Sequence, residues 1–172
     1  MDPLSIPAAA EFARRRRTHG AIGTRALGAE IATVIQPGDA LLLHGPLGAG
    51  KTCLVQGLCG ALGSTGEVVS PTFTLVNRYP GRVTVDHLDF YRVEPDHDLG
   101  DIGVHEILDE LDARRTLLVA EWPRLLASLL PVRIELLSVL GAEPDERVWH
   151  VRGVPELPAE WVELFPEVVP PC

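Results

Sequence analysis

Lys51 is the only lysine in the chain, and it stands in Gly45-Pro46-Leu47-Gly48-Ala49-Gly50-Lys51-Thr52. That spacing is G-x-x-x-x-G-K-[ST], the Walker A phosphate loop. Glycine is needed where the backbone must wrap tightly around a phosphate chain and a Cβ would clash. The freed N–H groups then point inward as an anion nest, and the helix that follows adds its positive N-terminus. Lys51 is expected to reach the β- and γ-phosphates and the Thr52 hydroxyl to ligate Mg²⁺. The expected phosphate-binding set is Gly45, Gly48, Ala49, Gly50, Lys51, Thr52 and Cys53. Pro46 occupies a free position of the motif, and its fixed φ suits the turn.

A nucleotide hydrolase also needs a carboxylate near the metal and a group that orients the attacking water. Two acids close strand-like runs: Asp89 in Asp86-His87-Leu88-Asp89-Phe90-Tyr91-Arg92, and Glu121 in Leu117-Leu118-Val119-Ala120-Glu121-Trp122. Four apolar residues followed by an acid is the Walker B pattern, which Glu121 fits better. Asp89 is then the water-orienting or outer carboxylate, although the two roles can be exchanged. The plainer reading of Asp89 is a strand-end cap or an ion pair with Arg92. His87 lies two residues before Asp89, hence on the same strand face. It either positions Asp89 or is a structural histidine. Ser70 and Thr72 sit on a loop able to sense a γ-phosphate, as switch loops do, or form an ordinary turn at Ser70-Pro71.

The elements that must hold these groups follow from periodicity. Ala40–His44 is an apolar run entering the loop, and residues 53–62 read as the helix leaving it. Thr24–Ile35 has helical spacing at Leu27, Ile31, Val34 and Ile35. Residues 72–79 and 83–88 flank the turn Pro80-Gly81 and read as an antiparallel hairpin. Residues 102–111 read as a helix, and 116–121, 132–140 and 147–151 as strands. The expected fold class is α/β: a single P-loop NTPase domain with a mostly parallel central sheet, an antiparallel hairpin and flanking helices. In such sheets ligands lie at the carboxyl ends of the strands, where Asp89 and Glu121 are expected.

At 172 residues one domain is expected. Residues 1–20 read as a poorly ordered arginine-rich leader, with Arg14-Arg15-Arg16-Arg17 solvated or forming a small nucleic-acid or partner patch. Residues 21–152 read as the ATPase domain, and 153–172 as a Pro-rich tail in which Trp161, Leu164 and Phe165 form one short helical turn. The net charge is −9, and residues 101–172 hold 14 acidic against 6 basic side chains. A phosphate backbone is repelled by such a chain, which argues against independent nucleic-acid binding. Cys53, Cys59 and Cys172 lack metal-site spacing and read as reduced thiols of a cytoplasmic protein. No run approaches the ~20 apolar residues of a membrane span.

The ordered set of the phosphate loop, Ser70-Pro71-Thr72-Phe73-Thr74-Leu75-Val76, His87-Leu88-Asp89-Phe90-Tyr91-Arg92 and Glu121-Trp122-Pro123 resembles the bacterial TsaE (YjeE) family over roughly residues 20–150. The resemblance implies an ATPase in the synthesis of tRNA N6-threonylcarbamoyladenosine at position 37. It implies action with the partners TsaB and TsaD, with tRNA met only through the complex and the transfer chemistry left to TsaD. By position it implies Thr52 and Glu121 as Mg²⁺ ligands, Lys51 on phosphate, Asp89 activating water, Ser70 and Thr72 in a switch-like loop, Trp122 beside the site and Thr24 near the adenine. Pro46 departs from the family's usual Asp. The segment 143–147 aligns poorly, and Arg147 is the nearest counterpart of a late basic residue near the nucleotide. The alternatives are a small-molecule P-loop kinase, for which no arginine-bearing lid is visible, and a nucleotide-sensing module without significant turnover. A GTPase with an Asn-Lys-x-Asp guanine segment is excluded, because Lys51 is the sole lysine.

Overall fold

The computed structural model describes residues 6–12, 14–94 and 99–168. Among these, one mixed sheet holds strands β1 (Arg14–His19), β2 (Ala40–His44), β3 (Val76–Tyr79), β4 (Thr84–Asp89), β5 (Thr116–Glu121), β6 (Arg133–Leu140), β7 (Glu146–Val154) and β8 (Glu167–Val168). Their order is β3-β4-β5-β2-β6-β7-β1-β8. The centre, β4-β5-β2-β6, is parallel. β3 closes one side as the antiparallel half of the expected hairpin, and β7, β1 and β8 extend the other as an antiparallel wing.

The helices α1 (Gly20–Val34), α2 (Lys51–Ala61), α3 (Val104–Asp112) and α4 (Ala159–Leu164) cover both faces. Strand alternation splits the core between them. Leu41, Leu43, Leu117, Val119 and Leu136 pack under α1, α2 and α4. Leu42, Leu118 and Ala120 pack under α3 and the segment 122–130. This is why β2 and β5 read as continuous apolar runs: every residue of each is buried.

Two glycines set the approach of α1 to α2. A Cβ on Gly28 would lie 2.1 Å from the Leu54 carbonyl, and one on Gly57 would lie 2.0 Å from that of Arg25. The helices therefore touch backbone to backbone, which brings the start of α1 beside the start of α2. The helix begins at Gly20, about two turns before the apolar spacing at Leu27 and Ile31 declares it.

Arg14–His19 do not continue a leader. They pair antiparallel with β7 over six residues, from Arg14 opposite Val151 to His19 opposite Glu146. Arg14 and Arg16 are half-buried and held by specific partners, whereas Arg17 is exposed. Arg14 Nη1 donates to the Phe165 carbonyl at 3.0 Å and Arg16 Nη1 to that of Leu164 at 3.2 Å. Arg16 also pairs with Glu30 at 2.6 Å, and Arg17 with Glu146 at 3.2 Å. The first two guanidiniums thus satisfy carbonyls at the end of α4, whose Trp161 and Phe165 are buried in the core. Residues 1–5, 13 and 169–172, within the expected leader and tail, lie outside the described residues.

Candidate functional site

The loop between β2 and α2 has the backbone that its glycines permit. Gly45, Gly48 and Gly50 lie at φ +134°, +75° and +91°, a region costly to side chains. Gly45 is required twice over, since a Cβ there would also lie 2.4 Å from the Ser138 carbonyl of β6. Ser138 in turn donates to the carbonyl of buried Ala49 at 2.7 Å, tying the loop to the sheet. Lys51 is buried; its Nζ donates to the carbonyls of Gly45 at 2.9 Å and Pro46 at 3.0 Å. Burial pushes the ammonium's pKa down, against the pull of the Glu121 and Asp89 carboxylates. The Trp122 ring lies 4.4 Å from Nζ and is placed there by a left-handed residue, φ +55°.

Both acids end parallel strands, and they are direct neighbours: Asp89 of β4 is in register with Glu121 of β5. Their surroundings differ. Glu121 Oε1 accepts from Thr52 Oγ1 at 2.8 Å, across the gap between β5 and α2. His87 Nε2 lies 3.1 Å from the same oxygen. Asp89 Oδ2 accepts from Ser70 at 2.9 Å and Thr72 at 2.5 Å, and its Oδ1 from the Tyr91 amide at 2.9 Å. Asp89 therefore holds the Ser70–Thr72 segment, and Glu121 holds the phosphate-loop threonine. Tyr79 secures the same segment from below by donating to the Val69 carbonyl at 3.0 Å.

These groups line one cleft of about 360 Å³, from Gly48 and Lys51 to Ser70, Asp89 and Trp122. A second cleft of about 380 Å³ shares Gly48, Gly50 and Cys53 with it and continues to Gly20, Thr24, Asp145 and Arg147. Thr24 is buried and bonded to the Gly20 carbonyl and to Thr18, each at 3.1 Å, so it offers the cleft its methyl rather than a free hydroxyl. Arg147 donates to the Gly48 carbonyl at 3.3 Å and to that of Pro144 at 3.0 Å, bridging the β6–β7 turn to the phosphate loop.

Oxygen donors fit a hard cation better than nitrogen or sulfur do, and the Thr52 hydroxyl and Glu121 carboxylate supply two at one point. Among the described residues no three His, Cys, Asp or Glu converge to hold a metal. A cation here would draw its other ligands from phosphate and water, as Mg²⁺ does.

The expected phosphate-loop residues, Ser70, Thr72, Asp89, Glu121, Trp122, Thr24 and Arg147 line these joined clefts or form the loop between them. His87 differs from expectation: its contact is with Glu121, not Asp89. The strand-end position marked it, but only the parallel register shows which acid it faces. Ser138, Tyr79, Thr18 and Asp145 were missed. Their placement depends on β6, β3, β1 and the β6–β7 turn, and no local motif signals it.

The profile described as "Threonylcarbamoyl adenosine biosynthesis protein TsaE" matches residues 18–148. A Treponema pallidum protein named tRNA threonylcarbamoyladenosine biosynthesis protein TsaE is 40% identical over 104 residues, which are 60% of this chain and 74% of that protein. A Bacillus subtilis protein of the same name is 37% identical over 125 residues, 72% of this chain and 75% of that one. The crystal structure of Bacillus subtilis YdiB superposes with a TM-score of 0.66 at 29% identity, covering 87% of this chain and 89% of the other.

Proposed function

The chain belongs to the TsaE family, and we propose that it binds ATP with Mg²⁺ and hydrolyses it as the motor component of tRNA threonylcarbamoyladenosine synthesis, together with TsaB and TsaD. The observation that carries this reading is the 2.8 Å hydrogen bond from Thr52 to Glu121 at the mouth of the phosphate loop. It joins the Walker A threonine to the strand-end acid where a cation bound to phosphate would sit. A bound Mg²⁺ would neutralise charge on the phosphate oxygens. The loop amides would cradle the phosphate chain. Lys51 would exchange its two carbonyl contacts for phosphate oxygens. The base would enter the second cleft, between Thr24 and Arg147.

Asp89 would orient water while holding Ser70 and Thr72 against the γ-phosphate. Its oxygens already carry three hydrogen bonds. That observation favours a second reading, in which Asp89 is a latch and the protein senses nucleotide without significant turnover. Phosphate release separates the two. Purified protein with TsaB and TsaD should release phosphate from Mg²⁺-ATP, and release that stays at background with all three present supports the sensing module instead. The acidic surface suits a reading in which tRNA is met through the complex.

A further inference from the structure

We propose that His87 is a positioning residue that fixes the Glu121 carboxylate toward the cation. The inference rests on the reading that Thr52 and Glu121 hold Mg²⁺, and adds a residue to it. His87 pairs with Val119 in the parallel register of β4 and β5, so Glu121 stands two residues further on along the same face. Its side chain is completely buried. Nε2 lies 3.1 Å from Glu121 Oε1, the oxygen that also accepts from Thr52 at 2.8 Å. One oxygen is thus pinned from the sheet and from α2 together, which fixes the carboxylate's rotation. Oε2 has no hydrogen-bond partner among the described residues. It is the oxygen left available to the cleft that Glu121 lines.

The rest of the His87 environment argues against a purely structural histidine. Nδ1 is buried and makes no hydrogen bond. The Tyr79 ring is 6.2 Å away and tilted by 40°, a packing contact only. A group kept for packing would be better as an apolar side chain, since an unpaired buried polar atom is costly. The carboxylate contact is what a histidine supplies here. With hydrogen on Nε2 it donates to Glu121, and Nδ1 is left as a bare acceptor, a less demanding orphan than an N–H. Partners of this kind behind a ligating carboxylate orient it, and their loss typically costs 10- to 100-fold in metal affinity or activity.

The test compares His87→Asn with His87→Gln. A glutamine amide reaches the place of Nε2, whereas an asparagine amide stops near that of Nδ1. Mg²⁺ is titrated against a fluorescent ATP analogue, and binding of the analogue is also measured in EDTA. His87→Asn should raise the half-saturating Mg²⁺ concentration about 10-fold or more, and His87→Gln should restore it, with metal-free binding unchanged in both. In a Glu121→Gln background His87→Asn should add nothing. If Glu121→Gln raises the Mg²⁺ requirement and His87→Asn does not, the positioning role is overturned while the metal reading stands. If Glu121→Gln leaves the requirement unchanged, the metal reading itself falls, and this inference with it. Equal losses in Asn and Gln, in EDTA as well as in Mg²⁺, would make His87 a structural residue and also overturn the proposal.

Discussion

Burial lowers the pKa of the Lys51 ammonium, with the two carboxylates pulling the other way, so its charge is held in the fold at a cost that phosphate would relieve. Lys51→Ala should therefore weaken ATP binding about 100-fold or more, while the thermal midpoint stays within about 4 °C of the parent; calorimetry reads both. The two acids should separate by assay. Glu121→Ala should raise the Mg²⁺ needed for nucleotide binding about 10-fold or more. Asp89→Ala should leave that requirement near the parent value and speed amide exchange across residues 70–75, because Ser70 and Thr72 lose their anchor. The opposite pattern exchanges the two roles. Away from the site, Glu135 is buried between β2 and β7. Burial is the largest influence on it and opposes its charge, but His44, Arg133 and Arg152 together outweigh it and hold the pKa down at about 2. A depressed carboxylate stabilises the fold above its unfolded pKa and loses that contribution as pH falls through the folded one. Stability should decline between about pH 4.5 and 2, by up to roughly 3 kcal/mol from this group, and by visibly less in Glu135→Gln. Denaturant unfolding across that range checks it.

The site is assembled by elements of unequal legibility. β2, α2, β5 and the β3–β4 hairpin declare themselves through apolar runs and the turn at Pro80-Gly81, and these carry Lys51, Thr52, Asp89 and Glu121. β1 does not declare itself. Four successive arginines look solvated, and their role as a strand is imposed by β7 and by the carbonyls at the end of α4, both distant in sequence. The contact of α1 with α2 is equally silent, because Gly28 and Gly57 carry no pattern that announces a helix crossing. That contact positions Thr24 beside Gly50. Gly57→Ala should force the helices apart, destabilising the protein by about 3 kcal/mol. It should also weaken binding of the adenosine part more than that of pyrophosphate, as paired titrations would reveal. If stability is unaffected, the close approach is not a constraint.

At the scale of the whole molecule, the sheet delivers the carboxyl ends of β2, β4 and β5 to one edge, which is where an open α/β sheet places its ligand. The parallel centre was legible from the alternation of helices with buried strands. The antiparallel wing of β7, β1 and β8 was not, since its pairing joins both ends of the chain. No helix among the described residues is long and apolar enough to cross a membrane. The negative charge is concentrated in residues 101–172 and opposes a phosphate backbone, in keeping with the proposal that tRNA is met through the complex. The most direct test is reconstitution with TsaB and TsaD, following threonylcarbamoyladenosine formed per complex on tRNA with ATP and Mg²⁺. The parent protein should sustain repeated turnovers, and Lys51→Ala should reduce them to the level without this chain. Equal yields with parent and Lys51→Ala protein would contradict the account.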